Sequence, residues 1–263
     1  MKDETVSILG CGWYGLALAK ALVADGYEVK GSTTSESKLV ALEELGIKPY
    51  LVNLSDGKGD FDVHFFTSDI LVICIPSRKK NDDSLGLIDQ LKVITALMKN
   101  KQIIFISSTG IYQDGNFVVD ENVIPEPTSD VGKSLVDAET LLRQNASFTT
   151  TIIRFGGLIG PNRNLAKHFA GKKEIANGLA PINLIHLDDC IGLTKAILQQ
   201  QAFGLIYHGV APVHPTRADF YTQACLNSGF EKPEFINELL DWKQVESVNV
   251  PKVYAMANLL TFL

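Results

Sequence analysis

The order of apolar and polar positions along the chain predicts a repeated alternation of strands and helices. Residues 70–75 are apolar throughout, as expected of a strand that is covered on both faces of a sheet. Other short apolar runs are followed by stretches in which apolar side chains recur every three or four positions. The predicted strands are residues 5–9, 27–31, 49–53, 70–75, 102–107 and 150–154.

The predicted helices lie between these strands and continue into the C-terminal third of the chain. In one of them, Leu87, Leu91, Ile94 and Met98 recur at helical spacing and would cover the sheet. The predicted helices are residues 14–24, 37–45, 84–98, 131–143, 189–199, 218–228 and 233–240. Turn-forming residues predict a break at 113–130 and loops at 156–164 and 178–189.

Three glycines with the spacing G-x-G-x-x-G, Gly10, Gly12 and Gly15, follow the first predicted strand and open the first predicted helix. In this context the spacing is typical of a turn that binds a dinucleotide, and a plain turn without a ligand is the alternative. The three glycines permit a tight turn, close approach of a pyrophosphate and close helix–strand packing, respectively. Trp13 and Tyr14 belong to the predicted cofactor site. The Trp13 ring is expected either to lie against the cofactor or to be buried below it.

Strands and helices in this order imply right-handed crossovers and an open parallel sheet. The predicted fold class is therefore α/β, a Rossmann-type doubly wound parallel sheet with a small C-terminal substrate-side subdomain. Residues 1–155 are predicted to form an NAD(P)-binding domain. Residues 156–263 are predicted to form a smaller region interleaved with the sheet.

The end of the second predicted strand lacks the Asp or Glu that binds an unphosphorylated ribose. Ser32, Thr33 and Thr34 stand there instead, and Lys38 follows. A carboxylate about 4 Å from a 2′-phosphate would be repelled by about 4 kcal/mol at a dielectric constant of about 20. Its absence favours NADP over NAD, with the hydroxyls and Lys38 receiving the phosphate. Further predicted cofactor contacts lie where later strands end: Ile75, Pro76 and Ser107.

The middle of the chain resembles the extended short-chain dehydrogenase/reductase superfamily in IIFISSTGIYQD (103–114), DENVIPEP (120–127) and SDVGKSLVDAETLL (129–142). It is most similar to the atypical branch of nucleoside-diphosphate-sugar epimerase-like proteins. Later stretches, TIIRFGGLIGP, INLIHLDDCIGLTKAIL and GLIYHGVAPVHPTRADFYTQA, extend the resemblance over nearly the whole chain. The resemblance implies a nicotinamide dinucleotide cofactor and a small-molecule substrate such as a nucleotide sugar.

The resemblance places the family's active-site serine at Ser108 and its lysine at Lys133, which would also hold the cofactor ribose. Ser129 replaces the tyrosine that in the family moves the substrate proton. A serine hydroxyl is a much weaker acid than a phenol, so Ser129 is not expected to act as the base. Tyr112, Asp130 and a water molecule are the candidate substitutes, and packing at the end of a strand is the favoured alternative for Tyr112.

Two functions are compatible with these residues. The first is an NAD(P)-dependent oxidoreductase or nucleotide-sugar-modifying enzyme with an atypical active site, which Ser108 and Lys133 favour. The alternative is a catalytically inactive NADP-binding regulatory or interaction protein, which Ser129 favours. Relatives often pair through sheet-covering helices, so a homodimer through residues 84–98 and 131–143 is also expected.

The composition limits which classes of partner and which cellular compartment are compatible with the sequence. The 263 residues carry a formal net charge of −6, which does not favour sequence-independent binding of nucleic acid. The basic cluster at residues 78–80 is short. The four cysteines include no C-x-x-C pair, and no apolar stretch approaches the roughly 18 residues of a membrane span. No signal peptide is apparent. We therefore expect a cytoplasmic protein that interacts with neither membranes nor nucleic acid.

The histidines and the remaining charged residues give weaker signals. His208 and His214 lack metal-ligand spacing, and no metal is predicted. His186 and the two aspartates at 188–189 are expected to be turn and helix-cap groups, with a catalytic pair as the alternative. Arg163 and Lys167 are candidate anion contacts in the loop region after Gly156.

Overall fold

The computed structural model describes residues 4–54, 61–77, 85–98 and 102–257. Its strands are β1 (Thr5–Leu9), β2 (Glu28–Thr33), β3 (Lys48–Leu51), β4 (Ile70–Ile73), β5 (Gln102–Ser108), β6 (Phe117–Val119), β7 (Thr149–Phe155), β8 (Gly157–Ile159), β9 (Leu184–His186), β10 (Ile206–Gly209) and β11 (Lys243–Val245). Its α-helices are α1 (Trp13–Ala24), α2 (Leu39–Glu43), α3 (Leu87–Leu97), α4 (Asp130–Gln144), α5 (Leu187–Gln199) and α6 (Arg217–Asn227).

Seven strands form one parallel sheet in the order β10-β7-β5-β4-β1-β2-β3. The chain first builds outward from β1 to β3 and then returns to the other side of β1 with β4. The direction of winding therefore reverses between β1 and β4. Such a switch point leaves a crevice outside the carboxyl ends of the two strands, where α/β proteins bind ligands.

Helices cover both faces of the sheet, because each strand of its centre is apolar on both sides. Leu18 of α1 and Ile197 of α5 are fully buried on one face. Leu91 of α3 and Leu142 of α4 are fully buried on the other. Burying one such side chain contributes about 1.5–3 kcal/mol, so the two layers hold the strand ends in place. The predicted doubly wound α/β sheet is confirmed.

The C-terminal part of the chain adds β10 to one edge of the sheet and also forms a smaller cluster. That cluster contains Ile159, Ile182, Phe220 and Tyr221, which come from the segments that follow β7 and β10 in the chain. Two small parallel pairs, β8–β9 and β6–β11, lie outside the seven-stranded sheet. The division of the chain at residue 155 stays a prediction, as does pairing of two copies through α3 and α4.

One predicted helix, at residues 233–240, is wrong. This segment is extended and pairs with residues 172–179: the Glu234 amide donates to Lys172 O, and the Ile236 amide donates to Ile175 O. The Phe235 ring lies 5.7 Å from the Phe169 ring, between ring centroids. Non-local strand pairing and aromatic packing therefore override a helical pattern that was read from local spacing alone.

Smaller differences concern segments that are rich in turn formers. The stretches predicted as a break or as loops contain β6, β8 and β9, each three residues long. The predicted helix 37–45 is a short 3₁₀ turn followed by α2. Residue 84 and the basic cluster at 78–80 lie outside the described residues.

Candidate functional site

The glycine turn after β1 has the geometry that binding of a diphosphate requires. Gly10 has φ +99°, and a Cβ there would lie 3.1 Å from the Cys74 carbonyl oxygen. A Cβ on Gly15 would overlap the Gly10 carbonyl oxygen, whereas one on Gly12 would meet no atom within 4 Å. Gly10 and Gly15 thus permit a tight turn packed on its helix. The space beside Gly12, at the start of α1, stays open for a ligand.

A cavity of about 500 Å³ opens in front of this turn, at the carboxyl ends of β1 to β4. Eight predicted cofactor residues line it: Gly10, Gly12, Ser32, Thr33, Thr34, Lys38, Ile75 and Pro76. The other lining residues are Leu9, Cys11, Val52, Asn53, Leu54, Cys74 and Gln90. Residues 52–54 could have been found from the sequence because they follow a strand at the same edge. Gln90 could not be predicted from the sequence as a lining residue, because it lies on a helix, α3, and not after a strand.

The tip of β2 presents hydroxyls and a lysine to the cavity, and none of the described lining residues is an Asp or Glu. The Ser32 hydroxyl is turned inward and accepts a hydrogen bond of 2.9 Å from the Gly10 amide. The Thr33 hydroxyl accepts one of 3.1 Å from the Ser35 amide. The side chains of Thr34 and Lys38 are exposed. The four predicted residues therefore line the same cavity. The hydroxyls of Ser32 and Thr33 are hydrogen-bonded within the protein, whereas the side chains of Thr34 and Lys38 are exposed.

Two side chains predicted for the cofactor site point elsewhere. The Trp13 indole Nε1 donates a 2.8 Å hydrogen bond to Pro161 O, and the Arg163 guanidinium carbon lies 5.1 Å from the ring centroid. The ring thus packs on the turn at 160–163 and does not line the cavity. Tyr14 Oη is buried 2.7 Å from Thr194 Oγ1, and burial raises the pKa of Tyr14 well above its usual value.

The predicted catalytic residues meet where the end of β5 approaches the start of α4. The Ser108 hydroxyl accepts from the Gly110 amide at 3.0 Å, and the Ser129 hydroxyl caps α4 by accepting from the Gly132 amide at 3.1 Å. A Cβ on Gly132 would lie 3.5 Å from Gly110 O, so the two capped turns touch. Lys133 Nζ, on a side chain that is 59% exposed, lies 3.7 Å from a carboxylate oxygen of Asp130, the first residue of α4.

Tyr112, the candidate proton donor, belongs to a buried polar network. Its hydroxyl accepts a 2.5 Å hydrogen bond from Arg154 Nη1 and lies 3.0 Å from His208 Nε2. Burial raises the pKa of Tyr112 to about 12. Arg154 is paired with Glu139 at 2.6 Å, and Glu139 also accepts from the hydroxyl of Ser107 at 2.6 Å. Tyr112 and Ser107 therefore use their hydroxyls inside the protein.

The sequence did not reveal this buried network. Ser107, Arg154 and His208 lie opposite one another on the adjacent strands β5, β7 and β10. Arg154 is 3% exposed and His208 is fully buried. Burial lowers the pKa of His208, whose Nδ1 lies 2.9 Å from Glu246 O. The only signal was a polar residue within each apolar strand, and strand pairing was needed to bring the three together.

The remaining candidate residues take structural positions. His186 caps α5 through Nδ1, which accepts from the Asp188 amide at 3.2 Å, as predicted. Asp189 is buried and accepts from the Tyr254 hydroxyl at 2.9 Å. Across the described ranges, no group of three or more His, Cys, Asp or Glu side chains is arranged to hold a metal ion. No helix within those ranges has the length and apolar character to cross a membrane.

Comparison with known proteins identifies a relative over most of the chain. The chain is 34% identical over 243 residues to "Protein YeeZ" of Escherichia coli K12, a match that covers 90% of this chain and 88% of that protein. No family model matches the chain.

Solved structures of low sequence identity share the fold. UDP-glucuronic acid 4-epimerase from Bacillus cereus, solved in complex with NAD, superposes with a TM-score of 0.81 at 18% identity over 98% of this chain and 93% of that one. A Methylobacillus flagellatus protein provisionally named an NAD-dependent epimerase/dehydratase gives 0.73 at 23% identity over 97% and 93%. The chain therefore has the Rossmann-type fold of these proteins.

Proposed function

The chain belongs to the family of the Escherichia coli protein YeeZ, and from that premise we propose that it binds a nicotinamide dinucleotide, NADP in preference to NAD. The observation that carries the proposal is the cavity in front of the glycine turn. Eight residues picked from the sequence as cofactor contacts line it, and the turn leaves open space beside Gly12. The Bacillus cereus epimerase, which shares the fold, was solved with NAD.

The residues present fit such a cofactor. Amides in the first turn of α1 have no partner within the helix and would face the diphosphate, aided by the helix dipole. Thr34 and Lys38 would receive a 2′-phosphate, and the absence of a carboxylate among the described lining residues removes a repulsion of about 4 kcal/mol. Lys133 would hold the second ribose. A bound nicotinamide would supply hydride transfer.

We further propose an oxidoreductase or nucleotide-sugar-modifying enzyme of the atypical short-chain dehydrogenase/reductase type. The Ser108 oxygen already accepts from the Gly110 amide, so its O–H group is left to donate to a substrate oxygen. Tyr112 is buried with a raised pKa, and the Asp130 side chain is fully exposed. Because the Tyr112 hydroxyl is engaged by Arg154 and Asp130 pairs with Lys133, a water molecule is the proton donor in this proposal.

Proteins of similar fold support a proposal for the substrate class. The Bacillus cereus epimerase has also been solved with UDP-glucuronic acid and NAD. We propose a nucleotide sugar as the substrate class here.

A non-catalytic NADP-binding protein is the second candidate, and one observation favours it. Ser129 occupies the position of the family's tyrosine, and its hydroxyl is used to cap α4. The short side chain cannot reach as far as a phenol, and its hydroxyl stays neutral at physiological pH. In this alternative, cofactor binding would serve regulation or partner recognition.

Two experiments separate these functions. Fluorescence titration of the purified protein is expected to show binding of NADPH and weaker binding of NADH, and binding of neither contradicts both functions. Incubation with NADP and a panel of nucleotide sugars, followed by the absorbance of reduced nicotinamide and by chromatography of the sugars, then tests turnover. Ser108→Ala is expected to abolish turnover while NADPH still binds, and Ser147→Ala, at an exposed serine, serves as the control. Intact binding without turnover of any sugar favours the second candidate.

A further inference from the structure

The end of β2 is joined to the glycine turn by two hydrogen bonds from successive amides. The Gly10 amide donates to the Ser32 hydroxyl oxygen at 2.9 Å, and the Cys11 amide donates to the Ser32 carbonyl oxygen at 2.9 Å. Ser32 is 2% exposed. One residue thus receives the first two amides of the turn, one through its side chain and one through its backbone.

These bonds hold a turn whose backbone has few alternatives. Gly10 has φ +99°, and its Cα packs against the Cys74 carbonyl so closely that a Cβ would lie 3.1 Å from that oxygen. The Gly12 amide donates to Gly10 O at 2.8 Å. Without the Ser32 hydroxyl, the part-buried Gly10 amide would lose its protein partner, which favours a different turn geometry.

The same contacts set Ser32 apart from the residues that follow it. Its hydroxyl oxygen is turned towards Gly10, whereas the Thr34 and Lys38 side chains are exposed at the rim of the cavity. Side chains of a strand alternate between the two faces of a sheet, so Ser32 and Thr33 at the end of β2 point to opposite faces, and Thr34 lies beyond the strand.

We propose that Ser32 is a positioning residue for the dinucleotide: its hydroxyl holds the glycine turn in the conformation that binds the diphosphate, and it does not contact the 2′-phosphate. This inference rests on the proposed dinucleotide binding. Because NADPH and NADH share the diphosphate, loss of the Ser32 hydroxyl affects both to the same extent. Loss of a 2′-phosphate contact would affect NADPH alone.

The test compares Ser32→Ala with Ser7→Ala. Ser7 is fully buried in the adjacent strand β1 and donates a hydrogen bond to Phe65 O, so it matches Ser32 in burial but not in position. Ser32→Ala is expected to weaken NADPH and NADH by the same factor, about tenfold, as for loss of one partner of a buried hydrogen bond. Ser7→Ala is expected to lower the melting temperature and leave both affinities unchanged.

A second readout needs no ligand. Hydrogen exchange of the Gly10 amide in the free protein is expected to be faster in Ser32→Ala than in the wild type or in Ser7→Ala. Ser32→Thr, which keeps the hydroxyl, is expected to restore both affinity and slow exchange. Should Ser32→Ala not fold, Ser32→Cys provides a side chain of similar size with a weaker acceptor and an intermediate effect.

The results that overturn the inference are distinct from those that overturn the proposed function. Weaker NADPH binding with unchanged NADH binding makes Ser32 a ligand of the phosphate. Unchanged affinities, or unchanged exchange of the Gly10 amide, remove its positioning role. A wild-type protein that binds neither dinucleotide contradicts the proposed function, and this inference falls with it.

Discussion

The two halves of the sheet's carboxyl edge use their polar groups differently. In the half formed by β1 to β4, open space remains beside Gly12, and the Thr34 and Lys38 side chains are exposed around a cavity. In the half formed by β5, β7 and β10, Tyr112 and Arg154 are bonded to each other and buried. The first half leaves space and exposed polar side chains for the dinucleotide proposed above. In the second half, the side chains of Tyr112 and Arg154 bond within the protein and contribute to its stability.

The strongest test of this contrast breaks the buried pair. In Arg154→Met the Glu139 carboxylate stays buried without its partner, so the free energy of unfolding is expected to fall by about 3–5 kcal/mol. Urea denaturation measures this loss. The double variant Arg154→Met/Glu139→Leu is expected to recover most of it, and Arg143→Met, at an exposed arginine, to stay within about 0.5 kcal/mol of the wild type. A small loss in the single variant would contradict a structural role for the pair.

The next test fills the open space of the other half. Gly12 precedes α1 with φ −84°, which any residue adopts, and a Cβ there would meet no atom within 4 Å. Gly12→Asp is therefore expected to fold as stably as the wild type. It would bind NADPH on the order of a hundredfold more weakly, because a carboxylate occupies and repels the site of the diphosphate. Calorimetric titration checks the affinity. Gly12→Asn, of the same size without the charge, is expected to lose less, and equal losses would rule out an electrostatic cause.

A third test measures how the stability of the protein depends on pH through His208, a buried histidine of the second half. Burial lowers the pKa of His208, so below about pH 6.5 the unfolded chain takes up a proton that the folded protein does not. Stability is therefore expected to fall with pH below that value, by up to about 1.4 kcal/mol per pH unit for this residue. Urea denaturation at several pH values is expected to show a shallower fall in His208→Gln. The pKa of His214 is also lowered, so His214 is expected to account for part of the pH dependence that remains in His208→Gln. Identical slopes would contradict the assignment to His208.

The smallest expected effect concerns the exposed rim of the cavity. Lys38→Gln is expected to weaken NADPH binding about two- to fivefold and to leave NADH binding unchanged, because an exposed ion pair contributes up to about 1 kcal/mol. Fluorescence titration with both dinucleotides measures the ratio. Lys48→Gln, at an exposed lysine that begins β3, is the control and is expected to change neither affinity. A parallel loss of NADH affinity would remove Lys38 as the contact of the 2′-phosphate.

The amino-acid sequence by itself determined the doubly wound sheet and the place of the glycine turn. Both follow from local spacing: apolar residues at strand and helix periods, and Gly10, Gly12 and Gly15 directly after a strand. The residues predicted to line the cavity were identified for the same reason, since residues that follow parallel strands meet at one edge. The short strands β6, β8, β9 and β11 and the extended segment at 233–240 escaped prediction, because pairing and not local pattern decides their conformation.

Only the tertiary structure decided which of the predicted polar groups remain available to a ligand. The hydroxyl of Ser32 is bonded to an amide 22 positions away, and that of Tyr112 contacts side chains 42 and 96 positions away. Residue type states that a hydroxyl can form a hydrogen bond but not with which partner. The partner is set by the register of strands that are distant in the chain, because burial excludes water and each buried polar group must bond to whatever the fold places beside it.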